Sequence, residues 1–108
     1  MAVLVSLTGT SWVAPHNTHQ TIEFKTSQVS GNAGCNRFFG TYKQTENTLK
    51  INSLATTRMA CQPDVMKHEL QFLTTLNKTS TVEVTDATLT LKDAKGAVLT
   101  VLARKNVG

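Results

Sequence analysis

The sequence is poor in the residue types from which metal, redox and nucleophile motifs are built. It has two cysteines, Cys35 and Cys61, and they lack the close pairing that zinc sites and Cys-x-x-Cys redox motifs require. No histidine neighbours either one, and no signature for a catalytic base or an oxyanion pocket accompanies them. Two interpretations stay open: two buried free thiols, or one disulfide.

Long hydrophobic runs are also missing. The apolar start, MAVLVSL, is far shorter than the roughly 20 residues that a membrane-spanning helix needs. It is too short for a signal-peptide core and has neither a basic start nor a cleavage site. We therefore predict no transmembrane segment, and we expect any export signal or lipid-anchor cysteine to belong to a longer precursor.

Runs of one charge are absent. Eleven lysines and arginines against seven aspartates and glutamates give a net charge of +4, and Arg104-Lys105 is the only adjacent basic pair. A nucleic-acid binder would gather its basic residues in a run or on one face. The scatter predicts a mildly basic surface and no nucleic-acid partner, with a weak affinity for acidic material left open.

What the sequence does contain is alternation of apolar and polar residues, the pattern of half-buried strands. It predicts strands at 21–25, 48–52, 81–84, 87–93 and 97–103. The last is more continuously apolar, as a central strand would be. The segments QTEN and KDAKGA have the composition of turns.

One segment, PDVMKHELQFLTTL at 63–76, has helical spacing instead. Pro63 and Asp64 suit a first helical turn. Glu69 borders the apolar face, and we expect a partly buried carboxylate there to pair with Arg37 or Arg58. His68 is predicted to point outward. The predicted apolar stripe consists of Met66, Leu70, Phe72, Leu73 and Leu76.

The order of these elements predicts a single α+β domain over residues 1–108 with a mostly antiparallel sheet. One helix cannot cover about seven strands. We therefore expect the sheet to curl strongly into a barrel-like form, with the amphipathic helix packed against it.

Three further features have a structural explanation. His16 and His19 are spaced like half of a metal site but have no third ligand nearby, so we expect solvated side chains and no metal. Trp12, the only tryptophan, is predicted to anchor a first strand in the core. The glycine-rich segment GNAGCNRFFG, 31–40, is predicted to be a folded corner rather than a phosphate loop, because no strand-to-helix unit with a downstream acid follows.

The segments VSGNAGCNRFFGTYK, INSLATTRMAC, HELQFLTTL and LTLKDAKGAVLTV, with the opening GTSW, resemble the META domain of the HslJ-like heat-shock lipoprotein family. The resemblance covers roughly residues 9–102. It implies a small antiparallel, barrel-like sheet with one helix. The residues that match the family motif, as structural or binding positions, are Gly34, Cys35, Asn36, Arg37, Phe38, Gly40, Thr57, Arg58, Met59, Cys61 and Glu69.

The resemblance implies no enzymatic activity, no catalytic residue and no cofactor. It implies a protein of the periplasm or outer membrane, related to stress or antibiotic tolerance, that binds or supports an envelope component. We expect a monomer. The alternative, from the family's likeness to secretion pilots, is a carrier that holds a lipid tail or hydrophobic peptide inside a cracked barrel. A thiol-based redox enzyme would require a reactive cysteine.

Overall fold

The computed structural model describes residues 6–14 and 17–105. Each strand pairs antiparallel with the next, and the last pairs with the first, so that eight strands close into a ring. This confirms the predicted α+β class and the curled, barrel-like sheet. The elements are β1 (Ser11–Ala14), β2 (Asn17–Lys25), β3 (Gln28–Ala33), β4 (Arg37–Thr45), β5 (Thr48–Thr56), α1 (Pro63–Lys78), β6 (Thr81–Val84), β7 (Thr88–Lys92) and β8 (Val98–Arg104).

The inside of the ring is filled with large apolar side chains, because each strand alternates between an inward and an outward face. Trp12, as predicted, is completely buried, and the guanidinium of Arg104 lies 4.6 Å from the centre of its ring. The largest side chains that are fully buried are Trp12, Phe24, Phe38, Leu7, Ile22, Leu49, Leu76, Leu89, Leu91, Leu102 and Val29.

Most of the predicted folded corner at 31–40 is strand. β3 extends to Ala33 and β4 starts at Arg37, so only three residues form the corner. The glycines concealed these strands, because they interrupt the alternation. Gly31 is required because β3 lies close to β2 at this position, where a Cβ would overlap the carbonyl group of Thr21.

β8 differs from the prediction of a central, continuously apolar strand. Its Leu102 is buried, but Val98 and Val101 are exposed. Every strand of a closed ring has one face toward the interior and one toward solvent, and a register shift opposite Leu91 and Lys92 puts Val98 on the outward face.

The helix α1 packs against β3, β5 and β7. The prediction of an amphipathic helix is confirmed, but its buried face is rotated from the predicted stripe. Phe72 and Leu76 are buried, and the ring of Phe72 packs edge-on against Phe38 at 5.9 Å between centroids. Leu70, predicted to be in the core, is 67% exposed, and the buried position one residue before it belongs to Glu69. Spacing alone could not place a carboxylate at the centre of the packed face.

The segment before β1 packs into the ring at the end where β4 turns into β5. Leu7 is fully buried and its backbone N–H donates to Oε1 of Gln44, near the end of β4 (2.9 Å). The hydroxyl groups of Thr8 and Tyr42 are hydrogen-bonded at 2.8 Å, and Trp12 Nε1 donates to Oγ1 of Thr10 (2.9 Å). Polar side chains therefore fasten an apolar plug.

Replacing Tyr42 with phenylalanine tests this plug. The variant keeps the edge-on contact of the ring with Phe24 but loses the bond to Thr8. We expect the free energy of unfolding in urea to fall by about 1 kcal/mol. In a double-mutant cycle with Thr8→Val, the second change should cost little once the first is made. Additive effects would mean that the two hydroxyl groups do not interact.

Candidate functional site

The motif residues meet at the corner between β3 and β4. The N–H of Ala33 donates to the carbonyl oxygen of Asn36 (2.8 Å), which closes a turn around Gly34 and Cys35. Gly34 has a φ of +134°, a backbone conformation that residues other than glycine rarely adopt. Its N–H donates to Oδ1 of Asn32 (2.8 Å). The turn directs the backbone N–H groups of Cys35 and Asn36 toward the helix.

The side chain of Glu69 reaches from α1 into this turn. Its Oε1 accepts hydrogen bonds from the backbone N–H groups of Cys35 (3.0 Å) and Asn36 (2.6 Å), and its Oε2 accepts one from Nδ2 of Asn36 (2.9 Å). Glu69 is 5% exposed. The predicted partner, an arginine, is wrong: neutral donors satisfy the carboxylate, and Arg37 and Arg58 are exposed.

Asn36 connects the corner to the segment after β5. Its Nδ2 donates to the carbonyl oxygen of Met59 (3.1 Å) as well as to Glu69, and its Oδ1 accepts from Oγ1 of Thr57 (3.0 Å) and from the N–H of Met59 (2.6 Å). An asparagine amide has two donor hydrogens and two acceptor positions, and here all four are used. At 3% exposure, Asn36 fixes three separate parts of the chain to one another.

A disulfide fastens the same corner. Cys35 and Cys61 are bonded, with 6.2 Å between their Cα atoms, so of the two alternatives left open by the sequence the structure has the bridge. It closes a loop between positions 26 apart and holds the exposed segment 57–61 against the corner. Neither thiol is available as a nucleophile in this state.

Glu69 is ionised at neutral pH. Burial raises the pKa of this carboxyl group, but the hydrogen bonds from the Asn36 side chain and from the backbone N–H groups of Asn36 and Cys35 outweigh it, so the pKa lies below its ordinary value of 4.5. A carboxylate with a lowered pKa and both oxygen atoms occupied is a poor proton donor. The arrangement serves to hold the corner in place.

The substitution Glu69→Gln tests this assignment. The amide nitrogen would face Nδ2 of Asn36, donor against donor, so we expect about 1–3 kcal/mol of destabilisation at pH 7. Because the folded-state pKa is below the unfolded one, the stability contributed by Glu69 is complete above the unfolded pKa and is lost as the pH falls through the folded one. We expect urea titrations between pH 7 and pH 2 to show that the difference in free energy of unfolding between wild type and variant becomes smaller only at the acid end.

The matched control for this titration is Glu23→Gln, which changes an exposed glutamate on the outer surface. It should leave the acid dependence of the free energy of unfolding close to that of wild type. A gap between wild type and Glu69→Gln that stayed constant down to pH 2 would contradict the role given to the Glu69 charge.

The remaining motif residues divide between the core and the surface. Phe38 is buried, while Arg37, Arg58 and Met59 are exposed. Gly40 lies at a β-bulge, where a Cβ would be 2.7 Å from the carbonyl oxygen of Asn52. The motif groups these residues in the sequence, but only some of them meet at the corner between β3 and β4.

The bulge shapes a groove on the outer face of the sheet. It has a volume of about 370 Å³ and is bordered by the ring of Phe39, which is 48% exposed. No sequence motif identified Phe39 as a surface residue. The signal was the alternation in RFFGTYK, which becomes readable only once β4 is recognised as a strand. The other lining residues are Lys25, Gln28, Val29, Ser30, Gly40, Thr41, Ser53 and Ala55.

The histidines among the described residues do not form a metal site. His16 lies outside the described residues, while His19 and His68 are exposed. Within residues 6–14 and 17–105, no group of three His, Cys, Asp or Glu side chains could hold a metal ion. Over the same residues, no helix has the length and apolar character needed to cross a membrane.

Comparison with known proteins identifies the family to which the chain is similar. The META domain model matches residues 3–106. Among curated proteins nothing matches.

Solved structures share the fold. A protein from Burkholderia xenovorans, determined by NMR, is 23% identical, with a TM-score of 0.73 over 98% of this chain and 94% of that one. A second NMR structure is 26% identical, with a TM-score of 0.67 over 97% and 95%. A DUF4847 family protein from Bacteroides vulgatus is 17% identical, with a TM-score of 0.61 over 83% and 61%. The ring of strands with one helix is therefore shared across low sequence identity.

Proposed function

The chain belongs to the META domain family, and on that premise we propose that it is a non-catalytic binding domain of the cell envelope. It acts in an oxidising compartment, the periplasm or the outer membrane, where it binds or supports an envelope component. A role in stress or antibiotic tolerance is part of this proposal and has its basis in the family resemblance alone.

The disulfide between Cys35 and Cys61 is the observation that carries the proposal. Disulfides persist in exported proteins and are rare in the reducing cytosol. Cys61 is exposed, and it lies in a segment without regular structure, so a reducing compartment would have ready access to the bond. A fold that this bridge stabilises fits the envelope better than the cytosol.

A non-catalytic role is supported by the way the motif residues are used. Among them, Asn36 and Glu69 have the polar groups best suited to chemistry. The hydrogen bonds of both side chains instead hold three parts of the chain together. The motif thus has a structural explanation that requires no substrate.

The outer surface is favoured over the interior as the place of binding. Residues such as Trp12, Phe24 and Phe38 fill the ring, and Leu7 and the buried face of α1 belong to the same packed core. A lipid tail or hydrophobic peptide inside would have to displace these side chains. On the outside, by contrast, the groove beside Phe39 is open.

The test is the thiol state of the protein in its native host. Cells are separated without reductant into periplasmic, membrane and cytosolic fractions, an alkylating agent is present throughout to trap free thiols, and the intact mass is measured in each fraction. We expect the protein outside the cytosol, unalkylated and two hydrogens lighter than the dithiol form. The variant Cys61→Ser, with one alkylated cysteine, calibrates the method. A doubly alkylated protein in the cytosolic fraction would overturn the proposal.

A further inference from the structure

We propose that the outer face of β2–β5 binds an anionic polysaccharide. This rests on the proposed function, because it takes the protein to meet envelope polymers outside the cytosol. The face, hereafter the β2–β5 face, consists of the outward residues Glu23, Lys25, Gln28, Ser30, Asn32, Arg37, Phe39, Thr41, Lys43, Lys50, Asn52 and Ala55.

The positive charge of the protein is concentrated in this part of the chain. Residues 17–62 contain five lysines and arginines against two glutamates, a net charge of +3, whereas residues 63–105 have six against five. In the sequence the basic residues look scattered. The strand register gathers Lys25, Arg37, Lys43 and Lys50 on one surface, because each occupies an outward position.

Two of these cations are placed against each other. Lys43 is the direct cross-strand partner of Lys50, and both are exposed. Like charges directly opposite on a sheet are destabilising. Within the described ranges the ion pairs are Lys25–Glu23 at 3.7 Å and Lys92–Glu83 at 2.7 Å, so neither Lys43 nor Lys50 has a carboxylate partner there. An anionic ligand would relieve this repulsion.

The spacing of the charges fits an extended polymer. Arg37 and Lys43 lie at the two ends of the β2–β5 face, six residues apart on β4, which corresponds to about 20 Å along the strand. A small anion cannot contact both. A chain that carries repeated negative charges can lie along β4 and reach the pair of lysines at one end and the arginine at the other.

Between these cations the face has the groups that recognise sugars. Phe39 presents a half-exposed ring beside the groove, a surface on which the apolar side of a sugar ring can stack. Its cross-strand neighbour Ser30 is a hydroxyl residue, and Gln28 lies opposite Thr41 in the next row. These amide and hydroxyl groups can donate to and accept from sugar hydroxyl groups.

A nucleic acid fits the same face less well. Proteins that bind single strands stack successive bases on several aromatic side chains, and this face offers one. Single-stranded DNA is therefore the comparison that the test must include.

The experiment is calorimetric titration of the purified, disulfide-bonded protein with polygalacturonate, and separately with neutral dextran and oligothymidylate. We expect saturable binding of polygalacturonate that weakens between about 50 mM and about 500 mM salt, with dextran much weaker. Lys43→Gln/Lys50→Gln should weaken binding about tenfold, and Phe39→Ala about fivefold. All variants change exposed side chains, and their melting temperatures verify folding.

The matched control is Lys67→Gln/Lys78→Gln, which removes the same charge from exposed positions on α1. It should change the affinity by less than about twofold. An equal loss in both double variants would mean nonspecific attraction, and tighter binding of oligothymidylate would mean a nucleic-acid face. Either result, or no binding of polygalacturonate, overturns the inference. The thiol state and location of the native protein are measured independently of this result.

Discussion

Replacing Asn36 with alanine is expected to lower the free energy of unfolding by about 3–5 kcal/mol, measured by urea denaturation at pH 7. The substitution removes four hydrogen bonds at once. It also leaves the buried carboxylate of Glu69 with one oxygen atom unsatisfied, and an uncompensated buried charge costs more than an average hydrogen bond. The loss is a large fraction of the stability of a small domain.

A second variant separates shape from charge at this position. Asn36→Asp has nearly the same volume, but it replaces the donor amide with a carboxylate that faces Glu69. We expect it to be at least as destabilising as alanine at pH 7 and to recover part of the loss as the pH is lowered, because protonation removes the repulsion. The control Asn77→Ala changes an exposed asparagine on α1 and should stay within about 0.5 kcal/mol of wild type. A loss below 1 kcal/mol for Asn36→Ala would contradict its place in the fold.

Removal of the disulfide is the other large effect. The double variant Cys35→Ser/Cys61→Ser should lose about 3–4 kcal/mol, the chain-entropy value for a loop of this length. For a domain of this size the loss corresponds to a decrease of about 15–25 °C in melting temperature. The variant should still fold, because Asn36 continues to hold the backbone of Met59 on both sides.

Reduction of the wild-type protein provides the control. Excess dithiothreitol should lower the melting temperature of wild type to that of the double variant and leave the double variant unchanged. A melting temperature of wild type that does not respond to complete reduction, verified by mass, would show that the bridge contributes no stability.

The sequence predicted the class of fold but not all of its elements. The alternation around Leu49, Val82 and Leu89 is regular, so β5, β6 and β7 were recognisable. β3 and β4 were hidden by Gly31 and Gly40, which take inward positions where a neighbouring backbone comes too close for any side chain. From the sequence these glycines indicated a corner. Only the strand register shows whether a glycine lies in a corner or within a strand.

The site was less predictable, because its interactions join distant parts of the chain. That Glu69 borders the apolar face was visible, but its partner depended on how the turn at Cys35 and Asn36 faces the helix. An arginine is the usual partner for a buried carboxylate, and two backbone N–H groups leave no trace in the composition of the sequence. The basic face was missed because residues far apart in sequence meet only through strand pairing.

The closed ring has a consequence for the order of folding. Every strand pair except one joins strands that are consecutive in the sequence, and all of these except β5–β6, which α1 separates, can form by closing a short loop. The exception is β1 with β8, where Trp12 pairs with Arg104 and nearly the whole chain must be closed. Contacts between distant parts of a chain form late, since their entropy cost is largest. Weakening the β1–β8 seam should therefore accelerate unfolding and leave the folding rate almost unchanged.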